Sequence, residues 1–196
     1  LQYYNEGGNG VIAISMNRLY EFTYKLEKGA LYMDFIDPHD IYDKVIVIDA
    51  GHGSRMSGAT KNGIQEKDIN LDIVLQLKAL FDAYDGNIGV YYTRTDDSNP
   101  TLQQRAELAN KAGADLFISV HNNSSGTGNF TSVNGTQVLY SESDDRELGS
   151  KKLAQICLDN VTAATGSNDF GLLKADDIYI VRSSEAPVAL LSLIHI

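Results

Sequence analysis

From residue 44 onward the apolar positions keep switching between two rhythms. Val45 to Ile48 is an unbroken apolar run, as a strand covered on both faces requires. Between Lys67 and Tyr84, apolar side chains fall at Ile69, Ile73, Leu77, Leu80, Phe81 and Tyr84, which is helical spacing. The alternation continues with a strand over Asn87 to Thr93, a helix over Leu102 to Ala112 and a strand over Leu116 to Val120. A loop rich in Gly, Ser and Asn, Asn122 to Gly135, leads to a strand over Thr136 to Tyr140 and a helix over Leu148 to Ala164. Strands at Ile178 to Val181 and Val188 to Leu191 complete the pattern. Such alternation predicts an α/β fold: a mostly parallel central sheet flanked by helices.

The first forty residues have a different texture. Val11 to Ser15, Leu19 to Leu26 and Leu31 to Phe35 read as short strands separated by Gly-rich turns. So few strands build a poor core of their own, so this is a β-rich N-terminal appendage, expected to be the remnant of a preceding module. Asp37-Pro38-His39-Asp40 reads as a linker, with His39 a surface turn residue. The expected division is therefore residues 1–40 and residues 41–196.

Charge narrows the partners. Sixteen basic against 26 acidic residues give a formal net charge of -10, which repels phosphate backbones and anionic lipid surfaces. Nucleic acid is not an expected partner, and no apolar run is long enough for membrane insertion. A single cysteine, Cys157, excludes an internal disulfide and a Cys-rich metal site, and it falls among apolar residues of a predicted helix.

Candidate chemistry gathers where strands end. In open α/β sheets, functional groups collect beyond the carboxyl ends of the strands. His52, between Gly51 and Gly53, lies just past the first strand, and His121 is the first residue past Val120. If the two strands are parallel neighbours, both imidazoles project from one sheet edge. A catalytic zinc takes three protein ligands and keeps a fourth position for water. Glu66, at the start of the Lys67 helix, is the candidate third ligand, although a Glu there is also favoured by the helix dipole alone. Two imidazoles and a carboxylate also suit non-haem Fe(II). A nucleotide-binding fold is a weaker alternative, because Gly58 breaks the Gly-x-Gly-x-x-Gly spacing begun by Gly51 and Gly53.

Several segments occur in order along the chain: Ile48-Asp49-Ala50-Gly51-His52-Gly53, Glu66-Lys67-Asp68-Ile69-Asn70-Leu71, Thr93-Arg94-Thr95-Asp96-Asp97, Leu102-Gln103-Gln104-Arg105, Ala109-Asn110 and Ala114 to Asn123. Together they resemble the zinc-dependent N-acetylmuramoyl-L-alanine amidases of the amidase-3 family, from about Lys44 to Leu190. The resemblance implies a zinc held by His52, Glu66 and His121. It also implies cleavage of the amide between the lactyl group of muramic acid and the first L-alanine of the peptidoglycan stem. Peptidoglycan is then the partner, the location extracellular or cell-wall, and the expected state a monomer. Arg94 and Arg105 match family positions and are expected to pair with Asp96 and Asp97 and fix that loop, with substrate binding the weaker alternative. Asn123 matches too and is the candidate substrate-binding side chain. Sequons in the Asn122 to Gly135 loop are read as compositional.

The resemblance breaks at the end of the chain. Pro187-Val188-Ala189-Leu190 matches, but the family then places a glutamate that serves as general base, where Ser192 stands here. A serine hydroxyl is no base near neutral pH without an activating group, and His195 is a poor substitute on a short apolar terminus. The last six residues, Leu191 to Ile196, resemble translated sequencing-adapter read-through, so the C-terminal end is expected to be incomplete. The chain as it stands is expected to be impaired, and a catalytically inactive peptidoglycan-binding module is the alternative.

Overall fold

The computed structural model describes residues 1–123 and 134–194, with the side chains of Asn123 and Ile194 outside that description. Most of the sequon-bearing loop, and His195, also lie outside the described residues.

Two antiparallel hairpins come first: β1 (Gln2–Glu6) with β2 (Asn9–Ala13), and β3 (Glu21–Glu27) with β4 (Ala30–Ile36). The sequence pattern predicts three strands here and misses the first, whose Gln-Tyr-Tyr-Asn-Glu has little apolar signal. Instead of a linker, Asp37 caps a one-turn helix, α1 (Pro38–Ile41), by accepting from the His39 amide at 3.1 Å. The His39 ring is not idle: Nε2 bonds the Gly113 carbonyl at 2.9 Å, tying this turn to the main domain.

The main domain then runs β5 (Lys44–Ala50), a small hairpin β6 (Thr60–Lys61) and β7 (Ile64–Gln65), α2 (Glu66–Asp82), β8 (Ile88–Tyr92), α3 (Leu102–Lys111), β9 (Leu116–Asn123), β10 (Gly135–Tyr140), α4 (Ser150–Thr165), β11 (Asn168–Lys174), α5 (Tyr179–Ser183) and β12 (Val188–Ile194). Six strands form one sheet in the order β11-β10-β12-β9-β5-β8. Every pairing is parallel except that between β10 and β12. The mostly parallel sheet expected from the sequence is therefore present. Two expectations fail in detail. Ile178 to Val181 is not a strand but the start of α5, and His121 lies inside β9 rather than beyond it.

Alternation along β5 explains the continuous apolar run. Val45 and Val47 join Phe117 and Val188 against α3 and α5, whereas Ile48 and Ala50 join Val120 and Leu191 against α2 and α4. Both faces are covered, so both phases of the two-residue repeat must be apolar. Cys157 packs beside the second cluster from α4, and burial pushes its thiol up to about 11. Among the described residues, no helix is long and apolar enough to cross a membrane.

The N-terminus of α4 has no side-chain cap of its own, because its N-cap residue is Gly149. Asp144 supplies the missing acceptor from six residues upstream, taking bonds from the Ser150 amide and hydroxyl at 2.8 Å each. The same hydroxyl accepts from the Val188 amide at 2.9 Å, so the cap also anchors the first residue of β12. Burial pushes the Asp144 carboxyl up, but bonds from Arg146 and Ser150 outweigh it and hold it at about 2. A carboxyl depressed in the fold stabilises above its unfolded value, near 3.9, and that contribution is lost as pH falls toward 2. Asp144→Ala is expected to cost about 1–2 kcal/mol at pH 7. The difference from the parent chain should shrink below about pH 4, as measured by urea denaturation at a series of pH values.

Candidate metal centre

Because β5, β8 and β9 are parallel, their carboxyl ends share one edge, and the chain turns sharply as it leaves β5 there. His52 adopts φ 63°, a left-handed conformation that costs a residue with a Cβ. Glycines make the turn possible on either side. A Cβ on Gly51 would run into the His121 ring, and one on Gly53 would meet the Ser98 carbonyl. Gly58, itself at φ 67°, leaves room for Glu66 and His52, both of which a Cβ would strike.

Two buried guanidinium groups hold the turn by its carbonyls. Arg94 gives Nε to Ala50 O at 2.8 Å and Nη2 to Gly51 O at 2.9 Å. Arg105, from α3, gives Nη1 to Ala50 O and Nη2 to His52 O, each at 2.7 Å. Their countercharge is Asp49, wholly buried, which accepts from Arg105 at 2.5 Å and from the Ser119 and Thr93 hydroxyls at 2.6 Å. For Asp49, burial raises the carboxyl, but Arg105 and the two hydroxyls bring it below the ordinary range.

The expected pairing of Arg94 and Arg105 with the Asp96 and Asp97 carboxylates is therefore corrected. Arg94 reaches only the backbone carbonyl of Asp96, and Asp97 instead takes Lys67 Nζ at 2.8 Å and the Ser54 amide at 2.9 Å. A desolvated guanidinium finds fixed carbonyl dipoles at the strand end, while Asp97 stays exposed where Lys67 reaches it. Asp49 stands in the first sequence motif, but no role or partner is assigned to it there. Its signal was there: one carboxylate inside an otherwise apolar strand must have a partner.

The structure brings His52, Glu66 and His121 together. Glu66 opens α2 and is almost fully buried. Its Oε2 accepts from the Ala59 amide at 2.8 Å and its Oε1 from the Asn122 amide at 3.1 Å. Oε1 also lies 3.2 Å from His52 Nε2 and 3.0 Å from His121 Nδ1. The two rings meet edge to face, centroids 4.8 Å apart at 81°. For Glu66, desolvation favours the neutral acid, but bonds from His121, His52 and the Ala59 amide outweigh it and hold the carboxyl far below its usual range.

One candidate donor atom from each residue fits within a span of 4.8 Å. Zinc bonds of about 2.0–2.2 Å in tetrahedral array separate donor atoms by about 3.3 Å. Two imidazoles and an ionised carboxylate at these separations fit a divalent cation, and nitrogen and oxygen donors of this kind suit zinc.

Ser192 sits in β12 directly opposite His121 in register, buried, and its hydroxyl has no hydrogen-bond partner among the described residues. A cavity of about 520 Å³ opens beside the three residues, bounded by Ala59, Leu139, Leu190 and Ser192. A second, of about 350 Å³, lies toward α3 against Met56, Pro100 and Leu102. The side chain of Asn123 lies outside the described residues, so its expected substrate contact has no structural counterpart here.

Comparison with known proteins places this arrangement. Residues 46–196 match the profile of a family described as N-acetylmuramoyl-L-alanine amidase. The chain is 34% identical over 150 residues to the N-acetylmuramoyl-L-alanine amidase LytC of Bacillus subtilis, covering 76% of this chain and 29% of that protein. It is 36% identical over 149 residues to an endolysin of Bacillus phage SPP1, covering 75% of this chain and 53% of the endolysin. It thus spans from under a third to about half the length of these two relatives. The catalytic domain of CwlV, an N-acetylmuramoyl-L-alanine amidase from Bacillus (Paenibacillus) polymyxa, superposes with a TM-score of 0.68 at 34% identity, covering 76% of this chain and 79% of that domain. An N-acetylmuramoyl-L-alanine amidase from Clostridium difficile 630 gives a TM-score of 0.67 at 31% identity, covering 76% and 77%.

Removing Asp49 leaves Arg105 charged in a buried site, and breaking such a pair costs about 3–5 kcal/mol. Asp49→Ala is therefore expected to lose that much stability in urea denaturation, whereas exposed Asp97→Ala should lose about 1 kcal/mol or less.

Proposed function

The chain belongs to the N-acetylmuramoyl-L-alanine amidase family, and on that premise we propose that it is a zinc-dependent hydrolase of peptidoglycan. Its substrate on this reading is the amide joining muramic acid to the first L-alanine of the stem peptide. The observation that carries the proposal is the convergence of His52, Glu66 and His121 on one point at the sheet edge, between two cavities.

Zinc held by three protein ligands supplies a Lewis acid that polarises a carbonyl and activates water for attack. The chain's own residues do the rest. Glu66 stays ionised because the Ala59 amide pins one oxygen and the imidazoles share the other. The left-handed turn at His52 and the β9 register of His121 aim both rings at that oxygen from different strands. Leu102, Leu139 and Leu190 line the larger cavity and offer the substrate apolar walls beside the triad.

Hydrolysis also needs a proton taken from the attacking water and given to the leaving amine. All three residues of the triad are committed to holding the ion, so none is free to carry that proton. The family resemblance places a glutamate at position 192, and the observed position supports such a role. It faces His121 across the β12–β9 pair and borders the larger cavity. Ser192 cannot accept a proton near neutral pH, so this chain is an impaired form of the enzyme. The same serine favours a second reading, a wall-binding module that keeps the ion and the groove but does no chemistry. Location at the cell wall, outside the cytoplasmic membrane, follows from the substrate. Residues 1–40 are read as a unit distinct from the catalytic unit of residues 41–196: β1 to β4 supply no residue to either buried cluster, and the contacts that join the two include Leu19 against the first cluster, Glu21 with Tyr91 and His39 with Gly113.

Purified chain is expected to hold one zinc by elemental analysis, and Glu66→Gln or His121→Ala to lose it. Release of free stem peptide from peptidoglycan should be slow, should vanish with a chelator, and should rise about 10²–10⁴-fold in Ser192→Glu. Zinc without any release from Ser192→Glu, alongside retained binding to sacculi, would favour the wall-binding module. Absence of zinc would refute both readings.

A further inference from the structure

Asn70 is a wholly buried polar residue on α2, one turn after Glu66 and on the same face. The neighbours that follow it along that face, Ile73 and Val74, are apolar, and space alone would be filled as well by leucine. The amide spends its bonds elsewhere. Its Nδ2 donates to Gly51 O at 3.1 Å, and its Oδ1 accepts from Asn122 Nδ2 at 2.9 Å. Gly51 immediately precedes His52, and Asn122 immediately follows His121. The Asn122 amide in turn donates to Glu66 Oε1 at 3.1 Å, which closes a loop of bonds back to the helix that carries Asn70.

Each of the three segments bearing a triad residue is thus tied to one side chain that touches none of the donor atoms. Resting on the metal-centre reading above, we infer that Asn70, with Asn122 as its relay, is a positioning residue that sets the spacing of His52, Glu66 and His121. The physical reason is geometric. Beyond the Arg94 bond to Lys67 O in its first turn, helix α2 packs on the sheet through apolar contacts, which tolerate sliding, whereas amide hydrogen bonds weaken steeply with distance and angle. A site must be held within about 0.5 Å of its working geometry, and dispersion contacts alone do not specify that. The Asn70 bonds fix helix against strand at the level of the triad.

The test uses the full chain and measures zinc affinity by competition with a chromophoric chelator, together with the visible spectrum of the cobalt(II)-loaded protein. Asn70→Ala and Asn122→Ala are each expected to weaken zinc binding about 10–100-fold and to alter the cobalt bands. The double variant should fall little below the worse single one, because both delete the same bond. Thr136→Val serves as the control: Thr136 is equally buried and bonded to Ser167 Oγ at 2.8 Å, but it touches no triad segment. It should lose stability and keep full zinc affinity.

Parent-like zinc affinity in Asn70→Ala, or an equal loss in Thr136→Val, overturns the inference while leaving the metal centre intact. A parent chain that binds no zinc overturns the metal centre itself and this inference with it. If Asn70→Ala does not fold, Asn122→Ala carries the measurement. If neither folds, the pair is a folding element and the positioning role is refuted.

Discussion

Three successive carbonyls, those of Ala50, Gly51 and His52, point into protein where β5 leaves the sheet. Buried carbonyls must be bonded, and here the donors come from Arg94, Arg105 and, at Gly51, Asn70 rather than from another strand. That solution imports two cations into the interior, and a single carboxylate, Asp49, balances the one nearest it. Everything at the sheet edge inherits this arrangement. The left-handed His52 is held by its own carbonyl, and α3 is fixed to β5 by charge as well as by packing. The Arg94 side chain also reaches Lys67 O at the start of α2, so the helix carrying Glu66 is referred to the same strand end.

Much of this was legible from residue pattern. The runs at Val45 and Leu116 and the helical spacing after Lys67 marked two buried strands and a helix, and the sheet makes those strands the parallel neighbours that a shared edge requires. His52 and Glu66 were candidates from their places at element ends, whereas His121, expected past the end of its strand, lies within β9. The failures have separate causes. Ile178 to Val181 carries a strand-like apolar run, but Ile180 and Val181 bury themselves beside Ala109 and Ala112 of α3 as one helical turn. Tertiary packing overrode local preference. β11 went unseen because Asn168, Asp169 and Gly171 weaken the strand signal, which an edge position with a single partner tolerates. The arginine partners were misread because sequence proximity suggested Asp96 and Asp97, whereas Asp49 is distant along the chain and adjacent in space. No spacing rule announces that contact. Only the cost of a buried lone carboxylate does.

Holding and proton transfer are assigned to different parts of the sheet on the proposed reading. β5, α2 and β9 supply the donor set, and β12 presents position 192 to it by register alone. A change at the end of β12 therefore alters the chemistry without disturbing the cradle. The converse does not hold, because Asp49, Arg105 and the three glycines are each committed to the cradle's shape.

The half-buried thiol of Cys157 has a practical corollary. Only the thiolate attacks electrophiles, and at neutral pH almost none exists while α4 lies on the sheet. Alkylation of this half-buried thiol is therefore slow in the fold and should quicken whenever that helix lifts away. The molecule carries its own reporter of local opening, with no second cysteine to confuse the record.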